Sequence, residues 1–393
     1  TKTTMANFLP MLLMVLPLCG VFAANDGRAR TPPMGWRDWN QFQGNINQQI
    51  MEDAFRSLAS STLFAGQTKS LASFGYSDAG LDDAWQDCGS YGPNNYTYHD
   101  ASGNPVVDKT TFPDMKKMTD VAHSLGLTAG WYGNNCKCKD HCTADDCFRG
   151  DVNSTLAFGF DSTKLDGCGK EENVALWYKM FNETISKMSG HKAMMIENCH
   201  NGPNTPTYDS AGELVCPFHT YRSSTDIRPV WGSILVNLMT VPALATANKS
   251  VPGCWAYPDM LEVGITNSQL PSPGGKMNCG PSQEDPCPPL SKIEARTHFG
   301  AWSIVSAPLV IGMDFSNTSN LELHFDTITN NDAIEVNQDY AGFSGSIFSQ
   351  SNENQSFTPC GWWSNACSFP KTMSWYKPLS GRDERKSEMA VLL

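Results

Sequence analysis

The stretch Ser162-Thr163-Lys164-Leu165-Asp166-Gly167 is the most informative part of this chain. It is typical of a short buried strand that ends at a carboxylate, because Gly167 allows the chain to turn directly after Asp166. In a (β/α)8 barrel the chemistry is carried at the C-terminal ends of the parallel strands. Asp166 is therefore a candidate catalytic residue, and the rest of the sequence is expected to supply the other strands.

Apolar runs with strand character alternate with helical patterns along the chain, which predicts a parallel sheet with crossover helices. The sequence therefore indicates an α/β fold, a (β/α)8 TIM barrel. Helices are predicted at residues 173–188, 230–247 and 292–305, with Pro242 ending or kinking the second. The candidate strands are residues 34–39, 79–85, 128–132, 163–166, 193–198, 220–223, 255–260 and 308–311.

The 393 residues divide into three predicted parts. Residues 1–24 are typical of a secretory signal peptide, since an apolar, proline-interrupted run precedes a small-residue cleavage pattern near Ala23. Residues 25–340 form the predicted barrel. Residues 341–393 become strand-like and end in an apolar run, from which we expect the start of a C-terminal antiparallel β-sandwich domain in a truncated sequence.

Composition argues against some classes of function. The net charge is −12 and the isoelectric point about 5.1, whereas binding of nucleic acid calls for a basic surface. Beyond the signal peptide no segment is long and apolar enough to span a membrane. The 11 Trp and 11 Tyr suit stacking on sugars, although we expect most of these rings to pack in the core.

The cysteines and glycosylation sequons indicate the secretory pathway, with an extracellular or a lysosomal or vacuolar destination. There are 14 cysteines, and removal of Cys19 with the signal peptide leaves an odd number, so one thiol is free or pairs outside the chain. The sequons are at Asn95, Asn153, Asn182, Asn248, Asn317 and Asn354. The predicted disulfides are Cys136 with Cys168, Cys199 with Cys216, Cys279 with Cys287, and Cys360 with Cys367.

A dense group of cysteines near His141 raises zinc binding as an alternative, since thiolates and imidazole are its usual ligands. Its members are Cys136, Cys138, Cys142 and Cys147. In an oxidising compartment disulfides are the stronger interpretation, and we predict no metal here.

A second isolated acid, Asp226, follows Arg222 by four residues and comes after another predicted strand. Two carboxylates from two strand ends indicate glycoside hydrolysis, in which one acid attacks and the other transfers the proton. Lys164 lies on the same face of its strand as Asp166 and can keep that nucleophile ionised. Asp226 would need a raised pKa to act as the acid. An ordinary ion pair between Arg222 and Asp226 is the structural alternative.

Six motifs occur in order between about residue 30 and residue 342. They are Thr31-Pro32-Pro33-Met34-Gly35-Trp36 with Trp39-Asn40, Leu81-Asp82-Asp83-Ala84-Trp85, Lys164-Leu165-Asp166-Gly167-Cys168, Arg222 with Asp226-Ile227, Pro258-Asp259-Met260, and Val336-Asn337-Gln338-Asp339. In these motifs the sequence resembles the α-galactosidase (melibiase) family of retaining glycoside hydrolases, family 27, in its plant and algal branch.

The resemblance implies that Asp166 is the nucleophile and Asp226 the acid/base. Cys136 and Cys168 would form the disulfide beside the nucleophile. Galactose-terminated glycans would be the substrates, no cofactor is needed, and a homodimer is implied because family members are often dimers. The substrate-binding residues would be Trp39, Asp82, Asp83, Tyr132, Lys164, Cys199, His200, Arg222 and Asp259.

One departure concerns the loop that faces the substituent at C2 of the sugar. After Cys199 the family usually has Glu-Trp, or Ser-Trp in N-acetylgalactosaminidases, whereas this chain has His200-Asn201. The neighbouring sequence is similar to the branch that includes β-L-arabinopyranosidases, which makes that activity an alternative. Asp83 favours a substrate that keeps the 6-hydroxyl. A glycan-binding or structural glycoprotein on the same barrel is the alternative outside enzymes.

Overall fold

The computed structural model describes most of the chain from Asp26 onwards. The signal segment, His141, Asn201, the sequon at Asn95 and the predicted pairs Cys136–Cys168 and Cys279–Cys287 lie outside the described residues. The described ranges are 26–64, 66–93, 96–133, 138–140, 142, 145–167, 173–190, 192–200, 205–266, 271–272, 275–276, 289–360, 366–380 and 388–393.

Eight parallel strands confirm the predicted barrel. They hydrogen-bond in the order β8-β1-β2-β3-β4-β5-β6-β7. The remaining seam, between β7 and β8, is joined just after β7, where Leu261 forms a parallel bridge with Ile311. The strands are β1 (Met34–Arg37), β2 (Asp78–Gly80), β3 (Thr128–Gly133), β4 (Ser162–Asp166), β5 (Met195–Cys199), β6 (Thr220–Arg222), β7 (Trp255–Tyr257) and β8 (Leu309–Ile311).

Two glycines allow the first strands to pack around a large charged side chain. A Cβ on Gly35 would overlap the carbonyl oxygen of Asp78 on the neighbouring strand. A Cβ on Gly80 would stand 2.7 Å from the guanidinium carbon of Arg37. Because both positions lack a side chain, β1 and β2 pair closely and Arg37 occupies the barrel interior, where it is 6% exposed.

Helices follow the strands, and several begin at a side chain that accepts a hydrogen bond from the first turn. Ser291 and Glu294 form a complete capping box at the start of α8. The predicted helix at 230–247 is two helices, because Pro242 lacks an N–H and stands in the first turn of the second. The helices are α1 (Trp39–Phe42), α2 (Gln48–Ala59), α3 (Met115–Ser124), α4 (Asp145–Ala157), α5 (Val174–Ile185), α6 (Trp231–Leu238), α7 (Val241–Thr246), α8 (Lys292–Ile304), α9 (Thr318–Ile328) and α10 (Asn331–Gln338).

Antiparallel strands follow the barrel, as predicted. β9, β12 and β13 form one sheet, and β10 pairs with β11. Trp375 of this sheet is 3% exposed and belongs to the same apolar core as the barrel helices. Lys377 is fully buried and donates to the carbonyl oxygens of Val336 and Asn337 at the end of α10. The strands are β9 (Ser346–Gln350), β10 (Asn354–Phe357), β11 (Cys367–Pro370), β12 (Met373–Leu379) and β13 (Glu388–Leu392).

The disulfides correct one predicted pair. Cys216 pairs with Cys254, and Cys199 is a buried free thiol, so the predicted bond between Cys199 and Cys216 is wrong. Cys199 ends β5, whereas Cys216 and Cys254 precede β6 and β7, and in a parallel barrel these positions lie at opposite ends. The predicted bond between Cys360 and Cys367 is confirmed.

The dense cysteine group forms disulfides where it is described, since Cys88 pairs with Cys138 and Cys142 with Cys147. Beside it, buried His99 lies between two carboxylates, with Nδ1 3.4 Å from Asp140 and Nε2 3.1 Å from Asp151. Burial lowers the pKa of His99, but the two carboxylates outweigh it and raise the pKa to about 10. The described cysteines of this group therefore cross-link the chain, and His99, Asp140 and Asp151 form a buried ion cluster beside them.

Four of the described sequons, Asn153, Asn248, Asn317 and Asn354, are exposed, and Asn182 is half-buried. Glycosylation of these residues stays a prediction. Among the helices in the described ranges, none has the length and apolar character needed to cross a bilayer.

Candidate active site

The predicted nucleophile lies at the C-terminal end of β4, as the opening stretch of sequence indicates. Asp166 is half-buried, and its Oδ2 accepts a hydrogen bond of 3.0 Å from the hydroxyl of Tyr132, which β3 supplies. Lys164 lies two residues earlier and donates to Asp82 Oδ2 at 2.9 Å. The direct ion-pair partner of Lys164 is thus Asp82, and the hydroxyl of Tyr132 contacts the nucleophile.

The two adjacent acids after β2 are held by a chain of backbone hydrogen bonds. The N–H of Asp82 donates to Asp38 Oδ1 at 2.7 Å, and the N–H of Asp83 donates to Asp82 Oδ1 at 2.9 Å. Ala84 then donates to Asp83 Oδ1 at 2.8 Å and takes a φ of +83°, which turns the chain. Both acids are buried, so their orientations are fixed before a ligand arrives.

Arg222, at the end of β6, joins three strand ends. Its Nη2 lies 3.0 Å from Asp226 Oδ1 and 2.7 Å from Asp259 Oδ2, and its Nη1 donates to Cys199 Sγ at 3.4 Å. Asp259 also accepts hydrogen bonds from the N–H groups of Ile227 and Met260, at 2.8 and 2.7 Å. Asp259 has a φ of +86°, a strained conformation that these contacts stabilise.

The surroundings of Asp226 and of Asp83 shift the pKa of the two carboxyl groups in opposite directions. The protein around the barrel mouth removes part of the water near Asp226, which raises its pKa although half of the side chain is exposed. The positive charges of Arg222 and Lys164 outweigh this effect and lower the pKa to about 2. The raised pKa expected of a proton donor is therefore absent in the ligand-free protein, where the alternative ion pair with Arg222 is formed. Burial raises the pKa of Asp83 to about 6, helped by the negative charges of Asp82 and Asp166.

Cys199 and His200 lie against the nucleophile. The Cys199 Sγ is 3.6 Å from His200 Nδ1. This sulfur, a ring nitrogen of His200 and a carboxylate oxygen of Asp166 all lie within 4.8 Å of one another. His200 Nε2 is 2.7 Å from the carbonyl oxygen of Ser224, so this nitrogen carries the proton and Nδ1 faces the thiol. Because thiol, imidazole and carboxylate are all metal ligands, these three residues could hold a metal ion.

Two residues below the site were missed by the sequence reasoning. Arg37 Nη1 is 3.9 Å from Asp82 Oδ2, and its Nη2 is 3.6 Å from Glu197 Oε2 on β5. Burial raises the pKa of Glu197, and the neighbouring cations oppose this rise. The sequence does contain a signal for Arg37, since a charged residue stands at the end of β1, between Trp36 and Trp39 of the opening motif. The interior of a barrel accepts such a charge only beside partners of opposite charge.

The predicted site residues lie at the C-terminal ends of their strands. The contacts above link all of them except Trp39 into two networks, one of Lys164, Asp82 and Asp83 and one that contains the remaining residues. The two networks meet where Lys164 Nζ lies 5.2 Å from the centre of the Tyr132 ring. Trp39 begins α1, which follows β1, and is half-buried. It therefore lies at the same end of the barrel as the other site residues, where an apolar wall is expected.

The chain is similar in sequence to known proteins. Residues 31–271 match the sequence model of the family described as Alpha galactosidase A. The chain is 29% identical to an alpha-galactosidase of Oryza sativa over 82% of this chain and 67% of that protein. It is 28% identical to a probable alpha-galactosidase of Dictyostelium discoideum over 87% of this chain and 77% of the other.

Solved structures share the fold. Alpha-galactosidase I from Mortierella vinacea has a TM-score of 0.58 and 25% identity, over 91% of this chain and 83% of that one. A β-L-arabinopyranosidase from Geobacillus stearothermophilus has a TM-score of 0.61 and 17% identity, over 88% and 84% of the two chains, which shows the fold alone. The chain spans about two thirds of the length of the first matched structure, from Bacteroides fragilis (66%), and of the rice relative (67%).

Proposed function

The chain belongs to the alpha galactosidase A family of glycoside hydrolases, and on that premise we propose that it is a retaining exo-α-galactosidase. Asp166 is the nucleophile and Asp226 the acid/base. The observation that carries this proposal is the presence of two carboxylates at one barrel mouth in different surroundings. Asp166 accepts from Tyr132, and Asp226 contacts Arg222.

The reaction follows from these surroundings. Asp166 attacks the anomeric carbon of a terminal galactosyl unit, the bond to the leaving oxygen breaks, and Asp226 gives that oxygen its proton. Water, deprotonated by Asp226, then releases galactose with the same anomeric configuration. Tyr132 donates to Asp166 and so keeps the attacking oxygen oriented.

Asp226 must gain its proton as the sugar binds. Its side chain is 53% exposed in the free protein, and its pKa of about 2 depends on Arg222. A sugar that covers Asp226 and accepts a hydrogen bond from Arg222 excludes water and takes over the hydrogen bond that Arg222 gives to Asp226, and both effects raise the pKa of Asp226. Substrate binding would therefore convert a salt-bridged carboxylate into an acid.

Recognition of the sugar would come from the buried acids around the nucleophile. Asp82 and Asp83 would bind the 4- and 6-hydroxyls, and Trp39 would form the apolar wall under C6. Arg222 and Asp259 would bind near the 2- and 3-hydroxyls, where His200 replaces the usual residue. Galactose-terminated glycans are thus the proposed substrates, in the secretory pathway.

Hydrolysis of nitrophenyl α-D-galactoside between pH 4 and 7, with NMR detection of the first-formed anomer, tests the proposal. We expect α-galactose from the wild type and background turnover from Asp166→Asn. Asp53→Asn is the matched control, since Asp53 lies on the exposed face of α2. Release of β-galactose, or full activity in Asp166→Asn, would refute the mechanism.

β-L-Arabinopyranosidase is the second candidate, because the two sugars differ only in the hydroxymethyl group at C5. Asp83 is 7% exposed and its Oδ1 accepts from Ala84, so it is a preorganised partner for a 6-hydroxyl. We therefore expect a higher kcat/KM on the galactoside than on nitrophenyl β-L-arabinopyranoside. The opposite order would assign the chain to the second activity, and no turnover of either would support a glycan-binding protein.

A further inference from the structure

We propose that Cys199, His200 and Asp166 form a binding site for a thiophilic divalent cation, Zn²⁺ or Cd²⁺, at the mouth of the barrel. Each residue offers one ligand atom, and the three atoms lie within 4.8 Å of one another. A thiolate, an imidazole and a carboxylate make the mixed ligand set that zinc accepts when a fourth position is open to water.

The spacing of sulfur and nitrogen fits a single bound ion. Cys199 Sγ and His200 Nδ1 are 3.6 Å apart. With Zn–S near 2.3 Å and Zn–N near 2.0 Å, a tetrahedral zinc ion separates its sulfur and nitrogen ligands by about 3.5 Å. These two atoms therefore need almost no movement, whereas the Asp166 carboxylate oxygen, which lies within 4.8 Å of its partner atoms, has to move closer to complete the set.

The imidazole is oriented as a metal-binding histidine is. Its Nε2–H donates to the carbonyl oxygen of Ser224 at 2.7 Å, which fixes the tautomer and directs the Nδ1 lone pair toward Cys199. A metal-binding histidine commonly donates its other N–H to a backbone carbonyl in this way. Here the supporting contact is in place without a metal.

The charges around the thiol permit a cation. Arg222 Nη1 donates to Cys199 Sγ at 3.4 Å, and its Nη2 contacts two carboxylates, Asp226 and Asp259, which compensate its positive charge. Cys199 is reduced and buried, whereas Asp166 and His200 are half-buried, so the site is reached from the mouth. On binding, the S–H bond breaks, the sulfur–metal bond forms and the proton leaves to solvent, with no redox change.

Occupancy of this site would block catalysis, a consequence that rests on the proposed function. A metal ion bound by Asp166 takes the electron pair that would attack the sugar and stands where the anomeric carbon must approach. Thiophilic cations should therefore act as inhibitors that compete with substrate, and added galactose should weaken metal binding.

Cadmium titration of the full chain, purified without a histidine tag and stripped of metal, tests the site directly. We expect a saturable ultraviolet sulfur-to-cadmium charge-transfer band at one equivalent, which Zn²⁺ displaces. Cys199→Ser should lose the band, and His200→Asn should raise the dissociation constant at least about tenfold, since even outer contacts of metal ligands contribute 10- to 100-fold. His123→Asn is the control, because His123 pairs with Asp161 away from this loop.

Thermal unfolding of each variant checks that the fold is retained. A wild type without the band, or a Cys199→Ser protein that keeps it, would overturn the site. Hydrolysis is measured separately in metal-free buffer, where Zn²⁺ should raise the apparent KM of the wild type. Cadmium binding by an inactive wild type would refute the proposed function and leave the site standing, whereas activity without the band would refute only the site.

Discussion

Replacing Arg37 with methionine removes the guanidinium that buried Asp82 and the largely buried Glu197 share below the active site. Arg37 is 7% exposed in its side chain and lies 3.9 Å from Asp82 and 3.6 Å from Glu197. At an effective dielectric constant of about 20, a pair at the shorter distance interacts by about 4.6 kcal/mol. Removal of one partner from a buried pair costs about 3–5 kcal/mol, and we expect Arg37→Met to lower the free energy of unfolding by that amount at pH 7.

Arg56→Met is the matched control. Arg56 contacts two carboxylates at shorter distances, 2.7 Å to Glu52 and 3.0 Å to Asp53, but its side chain is 49% exposed. Exposed ion pairs contribute about 0–1 kcal/mol because water screens them and the side chains lose entropy. Arg56→Met on α2 should therefore lower the free energy of unfolding by less than about 1 kcal/mol.

The effect of Arg37→Met should depend on pH through Glu197. Burial raises the pKa of Glu197, and loss of Arg37 removes the largest opposing charge, so its pKa rises further in the variant. The folded variant then binds a proton more tightly than the unfolded chain, and its stability increases as pH falls toward the unfolded pKa near 4.5. The deficit should be largest at pH 7 and smaller at pH 5.

Urea unfolding followed by tryptophan fluorescence at both pH values measures these differences. The double variant Arg37→Met, Glu197→Gln should recover part of the lost stability, because it removes the carboxylate left without its cation. A change below about 0.5 kcal/mol at pH 7, equal costs for Arg37→Met and Arg56→Met, or no recovery in the double variant would refute the reasoning.

Three further predictions concern other described features. Arg222→Gln should raise the pKa of Asp226 from about 2, lower kcat, and move the alkaline fall of kcat to higher pH; an unchanged pH profile would contradict this. The raised pKa of His99 contributes stability that is complete below pH 6.5 and lost as pH rises toward 10, so thermal midpoints of His99→Gln should lack this dependence. Gly35→Ala should prevent soluble folding, whereas Gly44→Ala, whose nearest neighbour would be 3.8 Å away, should express like wild type.

The barrel was predictable from sequence because its strands are short apolar runs separated by helices. Strand ends were less accurate: the predicted strand at 79–85 ends at Gly80. Beyond that point Asp82 and Asp83 accept backbone hydrogen bonds from their own turn, and Ala84 takes a positive φ. Polar side chains that accept hydrogen bonds from the local backbone compete with strand pairing and so end a strand. The periodicity of apolar residues carries no information about this competition.

The positions of the site residues were predictable because the C-terminal ends of parallel strands meet at one mouth. Their pairings were not, since sequence spacing does not say which carboxylate a lysine reaches across a barrel. Lys164 contacts Asp82, two strands away, and the Cys199–Cys216 pair fails because the two residues lie at opposite ends of the barrel. Arg37 was missed because its partners, Asp82 and Glu197, come from distant parts of the chain.

The charged interior below the mouth also restricts how this sequence can diverge. Arg37 fits only because Gly80 has no side chain, and it is the cation with the strongest effect on the charge of Glu197. Single substitutions here leave a buried charge or an overlap, so the three positions should change together during evolution. A relative that is uncharged at the position of Arg37 should lack the carboxylate of Glu197 and is free to carry a larger residue in place of Gly80.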